Sequence, residues 1–313
     1  MTKQMVVLVL FVLFVHCMAY GQTRNNDPVV VRGNNLPCMI GVQPSLIVAY
    51  KFNGTNLVQI PVQLDEVVVK EASAPYNNLG CAFGTVSNSN NYDNISFYAD
   101  ANTFTGVDTN LLFDIDDELV FMAKDAGSKL NICPPTPTGV VSNTTCEIAL
   151  RDPLNNTILG YVYLFQQNGT LNQSAGINYV TYNFTYANNY QQAYDICTGG
   201  VTENSTVTTA NYSMRYSKRV IEDELKISAG GASNVDILDA HQFFVAPNNC
   251  FRSEQTFSDS RGTVVTSKNG PVRAIRSVMG ANSGVGTQWT IKFTESRMYY
   301  QMDFRVHPIG GFF

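Results

Sequence analysis

The chain has 313 residues, 14% of them charged, and a formal net charge of −5; Asn, Ser, Thr and Tyr fill the places that Lys and Glu take in cytosolic helical enzymes. The acidic balance argues against a basic nucleic-acid face, and no nucleic-acid recognition motif accompanies it. The length suits one large all-β domain or two smaller ones.

Residues 1–21 read as a signal peptide: Lys3, an unbroken apolar run from Met5 to Val15, then Ala19 and Gly21 placed for cleavage before Gln22. The run is short for a membrane span and no later segment approaches the needed length. The tail from Ile309 to Phe313 is too short for a lipid-anchor signal. The expectation is a secreted, extracellular protein without a membrane anchor, with residues 22–313 forming a single large extracellular β-domain.

Val29–Val31 and Leu46–Phe52 are short apolar runs bounded by Gly, Asn and Pro, and so are expected strands. Asn53-Gly54 turns the chain into Leu57–Leu64, where Pro61 calls for an edge or an interruption. Val67–Val69 follows. Beyond the acidic segment, Glu147–Leu150 and Thr157–Phe165 form an expected hairpin, and Gly160–Phe165 is apolar on both faces, as a central strand requires. Tyr179–Tyr186 alternates as a half-exposed strand. Arg219–Ile227 is the one expected helix, stopped by Gly230-Gly231. Gly262–Lys268 and Pro271–Met279 flank Asn269-Gly270, the preferred pair for a tight primed turn. Trp289, Ile291 and Phe293 alternate with polar residues. After Glu295-Ser296, the residues from Arg297 to Val306 alternate strictly, with Met298, Tyr300, Met302, Phe304 and Val306 on one face. The predicted fold is all-β: a large antiparallel β-sandwich with at most one or two short helices.

The densest run of carboxylates lies between Asp100 and Glu118. Calcium takes several oxygen ligands from a curling loop, and Asp100, Asn102, Asp108, Asp114, Asp116, Asp117 and Glu118 supply them here, with Gly106 for the bend. Calcium is the one cofactor this reading implies. The alternative is a solvated acidic turn, because Asp and Asn are also the commonest turn formers.

Removing the leader leaves Cys38, Cys81, Cys133, Cys146, Cys197 and Cys250, an even number that reads as three disulfides. Sequential pairing is expected, with Cys133–Cys146 closing a Pro-rich loop. Asn-x-Ser/Thr sequons occur at Asn53, Asn94, Asn143, Asn155, Asn168, Asn172, Asn183, Asn204 and Asn211, roughly twice the number that these residue frequencies produce by chance. Residues 22–210 carry 16 acidic and 7 basic side chains, and residues 211–313 carry 9 and 12. The second part is therefore covered or faces an anionic partner.

No nucleophile elbow, phosphate-binding loop, dinucleotide fingerprint or zinc-protease motif is present, so no catalytic residue is assigned and the reading leans away from an enzyme. Arg273, Arg276, Arg297 and Arg305 are candidates to clamp an anionic glycan, since guanidinium forks match carboxylate and sulfate. The alternative is that they are ordinary exposed-face residues. His241 and His307 are expected to fill turns.

Several phrases carry a resemblance: Ile60-Pro-Val-Gln-Leu-Asp-Glu66, Asp116-Asp-Glu-Leu-Val-Phe-Met-Ala123, Gly160-Tyr-Val-Tyr-Leu-Phe165, Arg252-Ser-Glu-Gln-Thr-Phe-Ser-Asp259 and Gly270-Pro-Val-Arg-Ala-Ile-Arg276. Together they resemble an uncharacterised family of secreted bacterial proteins. They are also similar to secreted invertebrate proteins of the organic matrix of calcified skeletons, such as those of corals. The resemblance implies one family-wide domain and a role in an extracellular matrix, and carries no residue roles. Gly270-Pro-Val-Arg273 is more distantly similar to sugar-binding β-supersandwich proteins. The functional expectation is a secreted, disulfide-bonded, N-glycosylated matrix protein of a calcified skeleton. Its partners would be matrix components, acidic polysaccharide or a mineral surface, and not nucleic acid. The alternative is a polysaccharide-binding or polysaccharide-degrading β-sandwich.

Overall fold

A computed structural model describes residues 24–71, 94–131, 136–185, 202–218, 221–241, 244–245, 252–253, 262–280 and 288–303. The leader, Cys81, Cys133, Cys197, Cys250, Arg305 and His307 lie outside the described residues. In chain order the strands are β1 (Pro28–Arg32), β2 (Ile47–Phe52), β3 (Leu57–Ile60), β4 (Gln63–Asp65), β5 (Val67–Lys70), β6 (Ile95–Tyr98), β7 (Glu118–Met122), β8 (Cys146–Arg151), β9 (Ile158–Gln166) and β10 (Val180–Asn183). They continue with β11 (Thr202–Thr209), β12 (Tyr212–Lys218), β13 (Ile221–Ile227), β14 (Phe244–Val245), β15 (Arg252–Ser253), β16 (Gly262–Lys268), β17 (Ala274–Gly280), β18 (Gln288–Phe293) and β19 (Met298–Asp303). Several antiparallel sheets result, none closed into a barrel, in a sandwich-like all-β fold.

The sheet ordered β3-β2-β9-β8 lies against the sheet ordered β1-β7-β4. Alternation decides which side chains meet: Ile47 and Ala49 of β2, with Val162 and Leu164 of β9, face Leu119 and Phe121 of β7 in one buried cluster. The opposite face of the same sheet buries Val48, Tyr50, Phe52, Tyr163 and Phe165 beneath Leu57, Leu130, Val140 and Leu171. The strand expected to be covered on both sides, β9, is so covered. Pro61 falls between β3 and β4, which belong to different sheets, so the residue without an N–H sits where the chain leaves one ladder for the other.

The second large pairing joins the sheet β10-β11-β12-β13 to the sheet β16-β17-β18-β19. Tyr182, Val207, Tyr212, Met214 and Tyr216 of the first pack with Ala274, Ile291 and Phe293 of the second. Here the sequence expectation of a helix over Arg219–Ile227 fails: residues 221–227 form β13, with Leu225 opposite Met214 and Ile227 opposite Tyr212. Helix propensity amounts to a few tenths of a kcal/mol per residue, and pairing along β12, interrupted by two register shifts, outweighs it.

Two further expectations are corrected. Asn269-Gly270 does not make a two-residue turn: Lys268 pairs with Ile275, and the intervening residues leave the ladder to reach β4. Cys146 bonds to Cys38 across a Cα–Cα distance of 6.2 Å, not to Cys133. Leu36 and Met39 are buried in the core cluster against which Cys146 packs, and this brings the Cys38 thiol alongside the start of β8.

Candidate functional site

The acidic segment enters β7 through a turn built on backbone contacts. The Gly33 N–H donates to the Asp117 carbonyl at 2.9 Å and the Asn34 N–H to the Ile115 carbonyl at 3.0 Å, while Phe113 is fully buried as the anchor. A side chain at position 33 has no space, since its Cβ would lie 1.6 Å from the Asp114 carbonyl oxygen. On this turn Asp114, Asp116 and Asp117 bring one carboxylate oxygen each within 4.8 Å of the others. A hydrogen bond with Asp114, then burial, pushes the Asp116 carboxyl up to about 6, and the same bond holds Asp114 below its ordinary value. The buried Asp117 carboxylate accepts the Val67 and Asp114 N–H groups, each at 2.9 Å.

The other expected calcium ligands are engaged elsewhere. Asp100 accepts the Asn102 N–H at 3.0 Å and the Ser267 N–H at 2.7 Å. Asp108 accepts the Thr109 N–H, and Asn102 is exposed. Strand alternation directs Glu118 away from Asp117, into a buried ion-pair network. The turn therefore gathers three of the seven named residues. Their oxygens suit a hard cation in kind and are fewer than the six to eight that calcium takes.

The arginines are not a surface clamp. Arg273 is 2% and Arg276 1% exposed, because carboxylates on facing strands neutralise them inside the protein. Arg273 Nε donates to Asp65 Oδ2 at 2.8 Å, its terminal nitrogen donates to Glu118 Oε2, and its backbone N–H donates to Gln63 Oε1 at 3.0 Å. Lys268 reaches Asp65 at 3.1 Å, and the Tyr98 hydroxyl donates to Glu118 at 2.8 Å. Burial alone would raise the Asp65 carboxyl, but Arg273 and Lys268 hold it below its ordinary value; Glu118 behaves likewise through Arg273. Gly270 closes the network, since a Cβ there would lie 2.3 Å from the Gln63 side chain.

Three of the phrases that carried the family resemblance thus converge on one buried cluster, through Gln63 and Asp65, Glu118, and Gly270 to Arg273. In a second cluster Arg276 grips both carboxylate oxygens of Glu203, donates to the Tyr182 hydroxyl at 3.1 Å and lies 4.3 Å over the Tyr216 ring. Burial outweighs the pull of Arg276 and raises the Glu203 carboxyl. Arg297 is exposed and paired with Asp27 at 2.7 Å.

One constellation escaped sequence reading. Glu222 accepts the Tyr216 hydroxyl at 2.7 Å and the Tyr300 hydroxyl at 2.5 Å on one oxygen, while His241 Nδ1 lies 2.9 Å from the other. The Glu222 side chain is 5% exposed and that of His241 42%. The His241 ring stands edge-on to Tyr300. A buried carboxylate that fixes a surface imidazole is the arrangement used to orient a general acid or base. The four residues come from β12, β13, the segment after it and β19, with no linear spacing to reveal them.

Eight of the nine sequon asparagines are exposed. In Asn53, Asn155, Asn168 and Asn172 the side-chain carbonyl accepts the N–H two residues on, an Asx turn. Asn211 differs: it is half-buried, and its amide nitrogen donates to the Glu295 carbonyl at 3.1 Å and Ser296 Oγ at 2.8 Å. No family model, no curated protein and no solved structure matches the chain.

Proposed function

We propose that the chain is a secreted, N-glycosylated component of an extracellular matrix, of the kind that forms the organic phase of calcified skeletons, with acidic polysaccharide or mineral surface as partner. The observation that carries this reading is the disposition of the sequons: eight asparagines stand on the surface of a disulfide-stapled β-fold, four of them in Asx turns. The apolar leader over residues 1–21 supports the same route. The proposal extends to weak calcium binding at Asp114, Asp116 and Asp117, where a divalent ion would relieve carboxylate repulsion. Expression of the full chain in eukaryotic cells tests the first part. The expected product is in the medium, oxidised, and falls in mass on enzymatic removal of glycans. Retention in the lysate with free thiols and no glycan rejects it. Thermal unfolding with calcium against chelator, repeated on Asp116→Asn, tests the second.

A second reading, breakdown of acidic polysaccharide, is favoured by the Glu222, His241, Tyr216 and Tyr300 constellation alone. Incubation with uronic-acid polymers should then release an ultraviolet-absorbing unsaturated product, abolished in His241→Ala. Intact polymer after incubation with the wild-type protein removes this reading.

A further inference from the structure

Where β2 and β9 splay apart, the segment following Asp125 wedges between them. Gly127 and Tyr161 exchange both backbone hydrogen bonds at 2.9 Å, and the Ser128 N–H donates to the Phe52 carbonyl at 2.9 Å. The junction leaves a groove of about 530 Å³, within the range of small-ligand sites. Its floor is bare backbone by necessity. A Cβ on Gly127 would lie 2.3 Å from the Phe52 carbonyl oxygen, and one on Gly160 would lie 2.7 Å from the Ala126 methyl. An apolar wall comes from Ile158 and Leu159, which are 46% and 44% exposed.

Two lysines line this groove, Lys51 and Lys129. Neither makes an ion pair among the described residues, and Lys129 Nζ lies 5.5 Å from the centroid of the Tyr161 ring. The neighbouring carboxylate, Asp125, is buried and accepts the Tyr179 hydroxyl. Elsewhere in the acidic part of the chain Lys124 pairs with Glu295 and Arg24 with Asp27 and Asp152, while Lys70 lies over the Phe104 ring and Arg151 donates to the Asn156 carbonyl. Two ammonium groups outside any ion pair among the described residues, Lys51 acting on Asp125 only at longer range, thus meet an aromatic ring and a floor without side chains, inside a portion that carries 16 acidic and only 7 basic side chains.

We infer that this groove binds a linear anionic polysaccharide, with a carboxylate or sulfate held between Lys51 and Lys129 and a sugar ring lying on Tyr161. The inference rests on the reading that the partner is acidic polysaccharide. It moves the contact from the strand arginines, which are buried, to these lysines. A chain of sugars suits the groove because it is open at the surface, and its backbone floor admits a flat pyranose while the lysines supply the charge. Asn53, a sequon residue, stands on the rim, so a glycan there narrows the entrance.

The test is calorimetric titration of the secreted full-length protein, and of its Asn53→Gln variant, with polyuronate and heparin-derived hexasaccharides, using dextran oligomers as the neutral control. Both anionic ligands should bind, more weakly at high salt, and dextran should not. Lys51→Ala/Lys129→Ala should lose at least about tenfold in affinity with its circular dichroism and melting temperature unchanged, because two charge-assisted contacts are removed. Tyr161→Leu should weaken binding with the salt dependence retained. Lys226→Ala, a surface change remote from the groove, should bind as wild type. Undiminished binding by the double lysine variant overturns the groove and leaves the polysaccharide partner standing. Failure of the wild-type protein to bind either anionic ligand overturns both, and equal affinity for dextran overturns the role given to the lysines.

Discussion

Replacing Arg276 by methionine removes the cation that, among the described residues, pairs with Glu203 and leaves a buried carboxylate beside Tyr182 and Ser205. Breaking one side of a buried pair costs about 3–5 kcal/mol, because the remaining charge has neither water nor partner. The guanidinium also leaves the Tyr216 ring, a contact whose loss adds up to about 2 kcal/mol when desolvated. Taking about 4 kcal/mol, and an unfolding entropy of about 2.1 cal/mol/K per residue, a chain of this length should lose about 6 °C in melting temperature. Urea unfolding followed through Trp289, the single tryptophan, measures the same loss at 25 °C as a shift in midpoint at constant slope. Arg276→Met with Glu203→Leu should recover most of it, since an apolar pair of similar volume replaces a buried ion pair at little cost. The pH dependence has a definite sign. Without Arg276, burial is opposed only by the Ser205 hydroxyl and raises the Glu203 carboxyl further, so the folded variant takes up a proton that the unfolded chain releases. The variant's deficit should therefore shrink as pH is lowered from 8 towards 5. A single variant within about 1 kcal/mol of wild type, or a double variant as unstable as the single, would refute the reasoning.

Cys38→Ala/Cys146→Ala opens a loop with a sequence separation of 108 and should cost about 4–5 kcal/mol on the chain-entropy account, read as a lower urea midpoint. Glycopeptide mass spectrometry should find Asn155 and Asn168 occupied and Asn211 empty, because the Asn211 amide nitrogen is already donating to the turn at Glu295 and Ser296. The Asp116 carboxyl, raised in the fold from 3.8 to about 6 by its bond with Asp114, holds its proton more tightly folded than unfolded. Asp116 should therefore contribute a decline in stability as pH rises across that interval, and Asp116→Asn should make the decline shallower, with the part due to the raised Glu66, Asp117, Asp125 and Glu203 carboxyls remaining; a carbon-detected titration of Asp116 checks the midpoint.

Much of the strand order was legible because period-two alternation is local. Val29–Val31, most of Leu46–Phe52, Gly160–Phe165, Trp289–Phe293 and Met298–Asp303 are strands as read, and Pro61 marked a real break. Residues 221–227 misled because Glu, Leu and Lys favour helices in isolation, while the alternation of Tyr212, Met214 and Tyr216 in β12, the partner that makes them a strand, is interspersed with Ser, Arg and Lys and was not read as one. The candidate sites were harder. Asp116 and Asp117 are sequence neighbours and meet Asp114 through a turn, so the acidic run was visible. Arg273 and Arg276 read as exposed because their neutralising carboxylates, at Asp65, Glu118 and Glu203, lie 208, 155 and 73 positions away. The disulfide misled for the same reason: a short Pro-rich loop suggested the nearer cysteine, whereas the core brought the distant one into reach.

The separation of those ion-pair partners has a consequence for how the protein is made. A ribosome delivers Asp65 and Glu118 well over a hundred residues before Arg273, and Glu203 before Arg276. Until the last third emerges, the nascent chain holds acidic groups that cannot be enclosed, because enclosing them alone would strand charge without water. The first two-thirds must therefore wait, hydrated and partly open, for the final strands. Release of the finished chain, and not the emergence of its first sheet, is then the event that commits it to the native state.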